Sequence, residues 1–198
     1  MSIRPDEKKT TSGHRTTEPA PVTDFVTAPT IAGKSLAVLR IATGFVFLWA
    51  FLDKLFGLGY ATPAKGAWIS GGSPTKGFLS SVHVGPFESI FHAWAGTWWA
   101  NTLFMLGLAA IGIAVIAGIG LRLSAIAGSL MMLMMWAAEW PFALSTSTGE
   151  PTHSTNPVID YHIIYALVLI VVAAAAAGNT WGLGRRWAAL VGDRKWLR

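Results

Sequence analysis

Several side chains that can move protons or bind anions lie at the edges of hydrophobic segments in this sequence. Glu139 and Asp160 each stand beside aromatic residues at the boundary of an apolar stretch, and Lys54 lies near the end of another. A carboxylate held among aromatic rings can exchange protons, and a buried ammonium can bind an anion or a partner acid. We therefore interpret Lys54, Glu139 and Asp160 as the candidate catalytic residues.

Further residues near these three predict a pocket that binds a cofactor. At 100° per helical residue, Arg40 lies only about 40° from Lys54 on the same helix, and Asp53 lies about 100° from Lys54. Trp49, Trp136 and Tyr165 would supply aromatic walls. The expected lining residues are Arg40, Trp49, Asp53, Trp136, His162 and Tyr165.

Each of these groups also has a structural explanation. Arg40 can extend its guanidinium to a membrane surface, and Asp160 would be favoured by the positive end of a helix dipole. Glu139 can be solvated at a helix end. Lys54 lies near the end of its apolar segment that the charge distribution described below places at the outer side of the membrane. Cations are disfavoured on that side, so a partner acid or an anionic ligand is favoured for Lys54.

The composition is that of an integral membrane protein. Of 198 residues, 53% are hydrophobic and 13% are charged, whereas soluble domains average about 25% charged residues. The net charge of +5 comes from the chain ends, which indicates membrane orientation rather than a nucleic-acid partner. Because cysteine is absent, disulfide relay, thiolate catalysis, Fe–S clusters and cysteine-ligated zinc are excluded.

The hydrophobic pattern predicts an all-α membrane protein with a bundle of four transmembrane helices. A span needs about 20 apolar residues. In the first outer loop, helical spacing of apolar residues predicts a short extra amphipathic helix at 86–95. The expected spans are 36–58, 100–120, 122–144 and 158–178, the last beginning at the Asn156-Pro157 cap.

The polar ends complete the predicted organisation. Residues 1–35 predict a disordered cytoplasmic tail, 36–180 the membrane domain, and 181–198 a basic cytoplasmic tail. Eleven Lys and Arg residues of the tails and the 121–122 link would share one side, against Lys65 and Lys76 on the other. The positive-inside rule then places both termini in the cytoplasm.

Histidine positions argue against haem, because a bis-histidine site needs two facing imidazoles and only His162 lies in a predicted span. We expect no metal. The alternative is a three-histidine site built from His83, His92 and His162.

The first span resembles the first helix of the DoxX/DoxD family. The family pattern is Arg, then Gly four later, Phe three after that and Lys seven further, which here are Arg40, Gly44, Phe47 and Lys54. The last span, NPVIDYHIIYALVLIVVA, is also similar to the DoxD type. Where members often have a small residue before the lysine, this chain has Ala50-Phe51.

The resemblance, over about 36–180, implies a multi-pass subunit of the prokaryotic cell membrane that passes electrons to a quinone, from thiosulfate or a related small donor. Lys54 would stabilise an anion, Glu139 or Asp160 would exchange protons, and Trp49 with Trp136 would wall the ring. Implied partners are the lipid bilayer, membrane quinone, and a small redox subunit or respiratory complex. Because no metal or flavin motif is visible, a non-catalytic accessory or scaffold subunit is the alternative.

Overall fold

The computed structural model describes residues 30–197, and this part of the chain is all-helical, with one isolated bridge between Ser145 and Pro151 and no strand. The predicted tail therefore lies outside the described residues, except for its last residues, which begin the first helix. The α-helices are α1 Ile31–Phe56, α2 Lys76–Ser80, α3 Glu88–Trp94, α4 Trp98–Ala117, α5 Leu121–Glu139, α6 Tyr161–Ala174 and α7 Gly184–Val191.

Within residues 30–197, three helices, α1, α4 and α5, are long and apolar enough to cross a membrane. Helix α1 begins five residues earlier than predicted because the Thr30 hydroxyl accepts a hydrogen bond from Gly33 N at 3.1 Å and caps it. Helix α5 ends at Glu139 rather than near 144. Trp140 adopts a left-handed conformation (φ 41°) and Pro141 has no backbone N–H to continue the helix.

Helix α6 differs most from its prediction. It has 14 residues, or about 21 Å at ~1.5 Å per residue, which is shorter than the ~30 Å hydrocarbon core. Its N-cap is Asp160, whose Oδ1 accepts from Ile163 N at 3.1 Å. The Asn156 side chain instead accepts from Val158 N and Ile159 N, each at 2.9 Å, in the turn before the helix. The prediction that Asn156-Pro157 caps the last helix was therefore wrong.

The helices form an up-and-down bundle in which glycines permit close approach. A Cβ on Gly44 of α1 would lie 2.8 Å from the backbone N of Ile116, and one on Gly112 of α4 would lie 2.6 Å from Leu48 N. Helices α1 and α4 thus pack backbone to backbone, as small residues allow in membrane bundles. A core between the helices includes Phe47, Leu108, Ile111, Val115 and Leu169.

The segment between α1 and α4 packs over the bundle end. Helix α3 lies inside the range predicted for an extra helix. Its Phe91 is buried with Val82 and with Ala138 of α5 in a second apolar cluster. This cluster holds the segment against the last turn of α5.

Residues 181–197 are partly helical rather than only a tail. Leu183 N donates to Ala117 O at 2.8 Å, which joins the start of α7 to the end of α4. The Trp187 indole donates to Leu197 O at 2.6 Å.

Candidate functional site

Four polar residues meet where α5 ends and α6 begins. The Tyr161 hydroxyl donates to Glu139 Oε1 at 2.8 Å. His162 Nδ1 lies 2.9 Å from Asp160 Oδ2 and 3.9 Å from Glu139 Oε2. We call Glu139, Asp160, Tyr161 and His162 the carboxylate cluster, and the bundle end that holds it the carboxylate end.

The carboxylate cluster runs from the protein interior to its surface. The His162 side chain is 1% exposed, that of Asp160 17% and that of Glu139 37%. Buried Nε2 of His162 has no hydrogen-bond partner in the described part of the chain. The imidazole therefore has one nitrogen committed to carboxylates and one unmatched, which is an arrangement that can hold or relay a proton.

A cleft of about 500 Å³ opens beside the carboxylate cluster, and Glu139, Asp160 and Tyr161 line it. The volume falls in the ~300–1,000 Å³ range of small-molecule sites. Most of the other lining groups come from the two loops at this end, and many of them are polar. They include His83, Thr146, Thr152, His153, Ser154 and Asn156.

A second cavity, of about 510 Å³, is an open groove on α5 and α6. Its lining is mostly apolar and includes Ala125, Ile126, Ile170 and Ala173. This groove can accept a hydrocarbon chain, but it contains no carboxylate or histidine for proton transfer.

The predicted aromatic walls do not come together as one pocket. The Trp136 indole donates to Val158 O at 2.9 Å, next to the start of α6. Trp49 instead packs its ring 5.1 Å from that of Tyr60. No ring contact joins Trp49 to Trp136 within residues 30–197. Tyr165 packs against the bundle core, with its ring 6.3 Å from that of Tyr161.

Arg40 lies at the opposite end of the bundle, where α4 ends. Its guanidinium is fully buried, so it does not extend to a surface as one interpretation expected. It donates to the carbonyls of Val115 (2.6 Å), Ile116 and Trp181 (3.0 Å), and more weakly to that of Thr180 (3.5 Å). We call this the arginine end. These bonds join α1, α4 and the segment after α6, and they account for Arg40 without a cofactor.

Asp53 and Lys54, at the end of α1, differ in whether they have a partner in direct contact. The buried Asp53 carboxylate accepts from Tyr60 N at 3.2 Å and Ala61 N at 3.0 Å, which closes the turn after α1. Lys54 is half-buried, and no carboxylate of the described chain lies within 4.0 Å of its ammonium. The partner acid favoured for Lys54 is thus not found in direct contact.

Sequence reasoning missed Tyr161, although it stands between Asp160 and His162. Its phenol donates a hydrogen bond to the Glu139 side chain. The tripeptide Asp160-Tyr161-His162 was a usable signal, because it places three polar side chains together at the start of an apolar helix.

In the described part of the chain, two groups of side chains have the composition and spacing to hold a metal ion. One is Glu139, Asp160 and His162, and the other is His83, Glu88 and His92 on and before α3. In each group, one candidate ligand atom from each residue lies within 4.8 Å of the other two. The three-histidine alternative is not formed, because His162 belongs to one group and His83 and His92 to the other.

The long apolar helices and their packing define this chain as a multi-pass helical membrane protein. Residues 35–140 match the sequence profile of the DoxX family, and the chain belongs to that family. The resemblance seen in the first span is thereby confirmed. The match ends after α5, so Asp160, Tyr161 and His162 lie outside it. No curated protein and no solved structure gave a match.

Proposed function

We propose that this protein is a subunit of a quinone-linked membrane oxidoreductase whose site is the carboxylate cluster. The observation that carries the proposal is the pairing of a buried histidine with two acids at a cleft. Membership of the DoxX family supports a membrane protein with a redox role. The finer assignment rests on the chemistry of the cluster.

The proposed reaction needs protons that the cluster is suited to deliver. A quinone becomes a quinol when its two oxygens take up two electrons and two protons. Two thiosulfate ions supply two electrons when a new S–S bond joins them as tetrathionate. In this proposal Glu139 and Asp160 exchange the protons, His162 relays them, and Tyr161 holds Glu139 in place.

The other predicted residues keep narrower roles in the proposal. Lys54 lies at the carboxylate end and would stabilise an anionic donor or the reduced quinone. Trp136 lies next to the start of α6 and would contact the ring, whereas Trp49 packs against Tyr60 and takes no part in the proposed site. The unmatched Nε2 of His162 supports a bound ligand, because a buried polar atom without a partner is costly.

The experiment is quinone reduction by the purified protein in lipid vesicles that contain a quinone, with thiosulfate as the first donor. We expect Glu139→Gln and Asp160→Asn each to lower turnover by about 100-fold or more, as removal of a proton-transfer group does. Glu150→Gln is the matched control, because Glu150 is an exposed acid that does not line the cleft. Full turnover in both amide variants would place the site elsewhere.

We also propose that α6, with the buried segment that follows it, completes a fourth crossing, with both termini cytoplasmic and α3 at the outer surface. The charge distribution supports this orientation. Ala177, Gly178 and Thr180 are buried, so irregular backbone there would be shielded by protein.

A cysteine-labelling experiment tests this orientation, because the native chain has no cysteine. An impermeant maleimide should label Ser70→Cys in intact cells and Arg186→Cys only after permeabilisation. Both original residues are exposed. The reverse labelling pattern would invert the orientation. Equal labelling of both in intact cells would place them on the same side and rule out α6 as a fourth crossing.

A non-catalytic accessory subunit is the second candidate, and one observation favours it. Arg40 and Asp53, two of the predicted site residues, are committed to backbone hydrogen bonds. If no donor supports quinone reduction and no quinone is extracted with the purified protein, the accessory role accounts for the chain better.

A further inference from the structure

The second group of metal-type ligands lies outside the carboxylate cluster and has no role in the proposed reaction. Glu88 and His92 are four residues apart on α3, so they share one face of the helix. His83 lies just before α3, with its Nδ1 3.8 Å from Glu88 Oε1. The His83 and His92 rings are 5.8 Å apart.

The hydrogen bond of His92 prepares its ring to bind a metal. Its Nε2 lies 2.7 Å from Val82 O. Because a carbonyl oxygen can only accept, Nε2 must carry the hydrogen, and Nδ1 of the neutral ring keeps its lone pair. A histidine ligand that donates its other nitrogen to a backbone carbonyl is the usual arrangement around protein-bound metals.

The backbone that carries these residues is held firmly. Val82 and Phe91, each adjacent in sequence to one of the two histidines, are 4% and 6% exposed. They pack together with Ala138 of α5. The ligand side chains project from this packed support, and His83 reaches the rim of the cleft.

We propose that His83, Glu88 and His92 form a binding site for a divalent metal ion of the zinc type. Two histidines and one glutamate are a ligand set that zinc uses, with the fourth position open to water or a small anion. Zinc–ligand bonds of about 2.05 Å in a tetrahedron separate ligand atoms by roughly 3.4 Å. His83 and Glu88 are 3.8 Å apart, and the three ligand atoms all lie within 4.8 Å of one another, so side-chain rotations must draw them together to meet that value.

This site is independent of the proposed function, and its test measures bound metal rather than turnover. Full-length protein without a polyhistidine tag is purified in detergent, stripped with a chelator and dialysed against Zn²⁺. Zinc per chain is then measured by mass spectrometry, and the dissociation constant by competition with a chromophoric chelator. We expect one zinc ion per chain in the native protein.

The variants His83→Gln, Glu88→Gln and His92→Gln should each raise the zinc dissociation constant at least about tenfold. His92→Gln keeps an N–H donor for Val82 O, and His83 and Glu88 are partly exposed, so folding should survive; an unchanged elution volume checks this. His153→Gln is the matched control, because His153 is an exposed histidine that lines the same cleft.

Two outcomes would overturn the proposal. One is native protein that binds no zinc, or zinc binding that all three variants retain unchanged. The other is zinc that is lost in Glu139→Gln and His162→Gln but kept in His83→Gln, which would place the ion in the carboxylate cluster.

Discussion

Arg40 and the carboxylate cluster lie at opposite ends of the bundle, and their polar groups are bonded in different ways. At the arginine end, both Nη atoms of Arg40 donate to backbone carbonyls from two separate parts of the chain, and among residues 30–197 only its Nε finds no partner. At the carboxylate end, the acids are partly exposed, the nearest histidine has an unmatched nitrogen, and a cleft adjoins them.

The contrast separates a group that holds the fold from a group that is available to a ligand. The carbonyls of Val115 and Ile116 belong to the last turn of α4, where a helix lacks internal donors and favours a cation. Arg40 supplies both the missing hydrogen-bond donors and the positive charge. Gly118 and Gly182 leave room for it, since a Cβ on either would lie 3.1 Å from a guanidinium nitrogen.

The largest expected effect comes from removing the charge at the arginine end. Arg40→Met leaves up to four backbone carbonyls without their donor, and a hydrogen bond to a charged group contributes about 1.5–3 kcal/mol. We expect the free energy of unfolding to fall by about 3 kcal/mol or more. Thermal or denaturant unfolding in detergent, followed by tryptophan fluorescence, measures this loss.

Three control variants sharpen this prediction. Arg40→Lys should recover only part of the stability, because an ammonium cannot reproduce the planar fork of the guanidinium. Arg185→Met should change little, since Arg185 is exposed. Glu139→Gln should cost under about 1 kcal/mol, because its carboxylate is partly solvated. Equal losses in Arg40→Met and Glu139→Gln would remove the distinction between the two ends.

The sequence predicted the parts of the fold that depend on local pattern. Hydrophobic length located α1, α4 and α5, and the Arg40-Gly44-Phe47-Lys54 motif identified the family. The role of Arg40 was not readable, because its partners Val115 and Trp181 are 75 and 141 residues away. The sequence pattern of an arginine within an apolar helix is the same whether its partners are carbonyls, lipid headgroups or a ligand.

Only part of the candidate site could be predicted, again because some of its contacts join residues that are far apart in the sequence. The acids at the end of α5 and the start of α6 meet because those helices are antiparallel neighbours joined by one loop. Trp49 and Lys54 lie on α1, and whether they face this junction depends on the rotation of α1 against α4. That rotation is set by the contact of Gly44 with Ile116 and of Gly112 with Leu48, which no local pattern reveals.

A smaller effect is expected from filling the close contact that sets this rotation. In Gly44→Ala the new Cβ would lie 2.8 Å from Ile116 N, so α1 and α4 must separate. Overpacking costs about 1–3 kcal/mol, against a gain of about 1 kcal/mol from the helix propensity of alanine. We therefore expect a net loss of up to about 2 kcal/mol, measured by the same unfolding assay.

Gly77→Ala is the matched control, because a Cβ on Gly77 of α2 meets nothing within 4 Å. Only the propensity gain then remains, so this variant should be neutral or more stable by up to about 1 kcal/mol. Opposite signs for the two glycine-to-alanine changes would show that the α1–α4 contact, rather than helix propensity, fixes how α1 presents Trp49 and Lys54. A stabilising Gly44→Ala would mean that α1 can move relative to α4 at little cost, and this contact would then not fix how α1 presents Trp49 and Lys54.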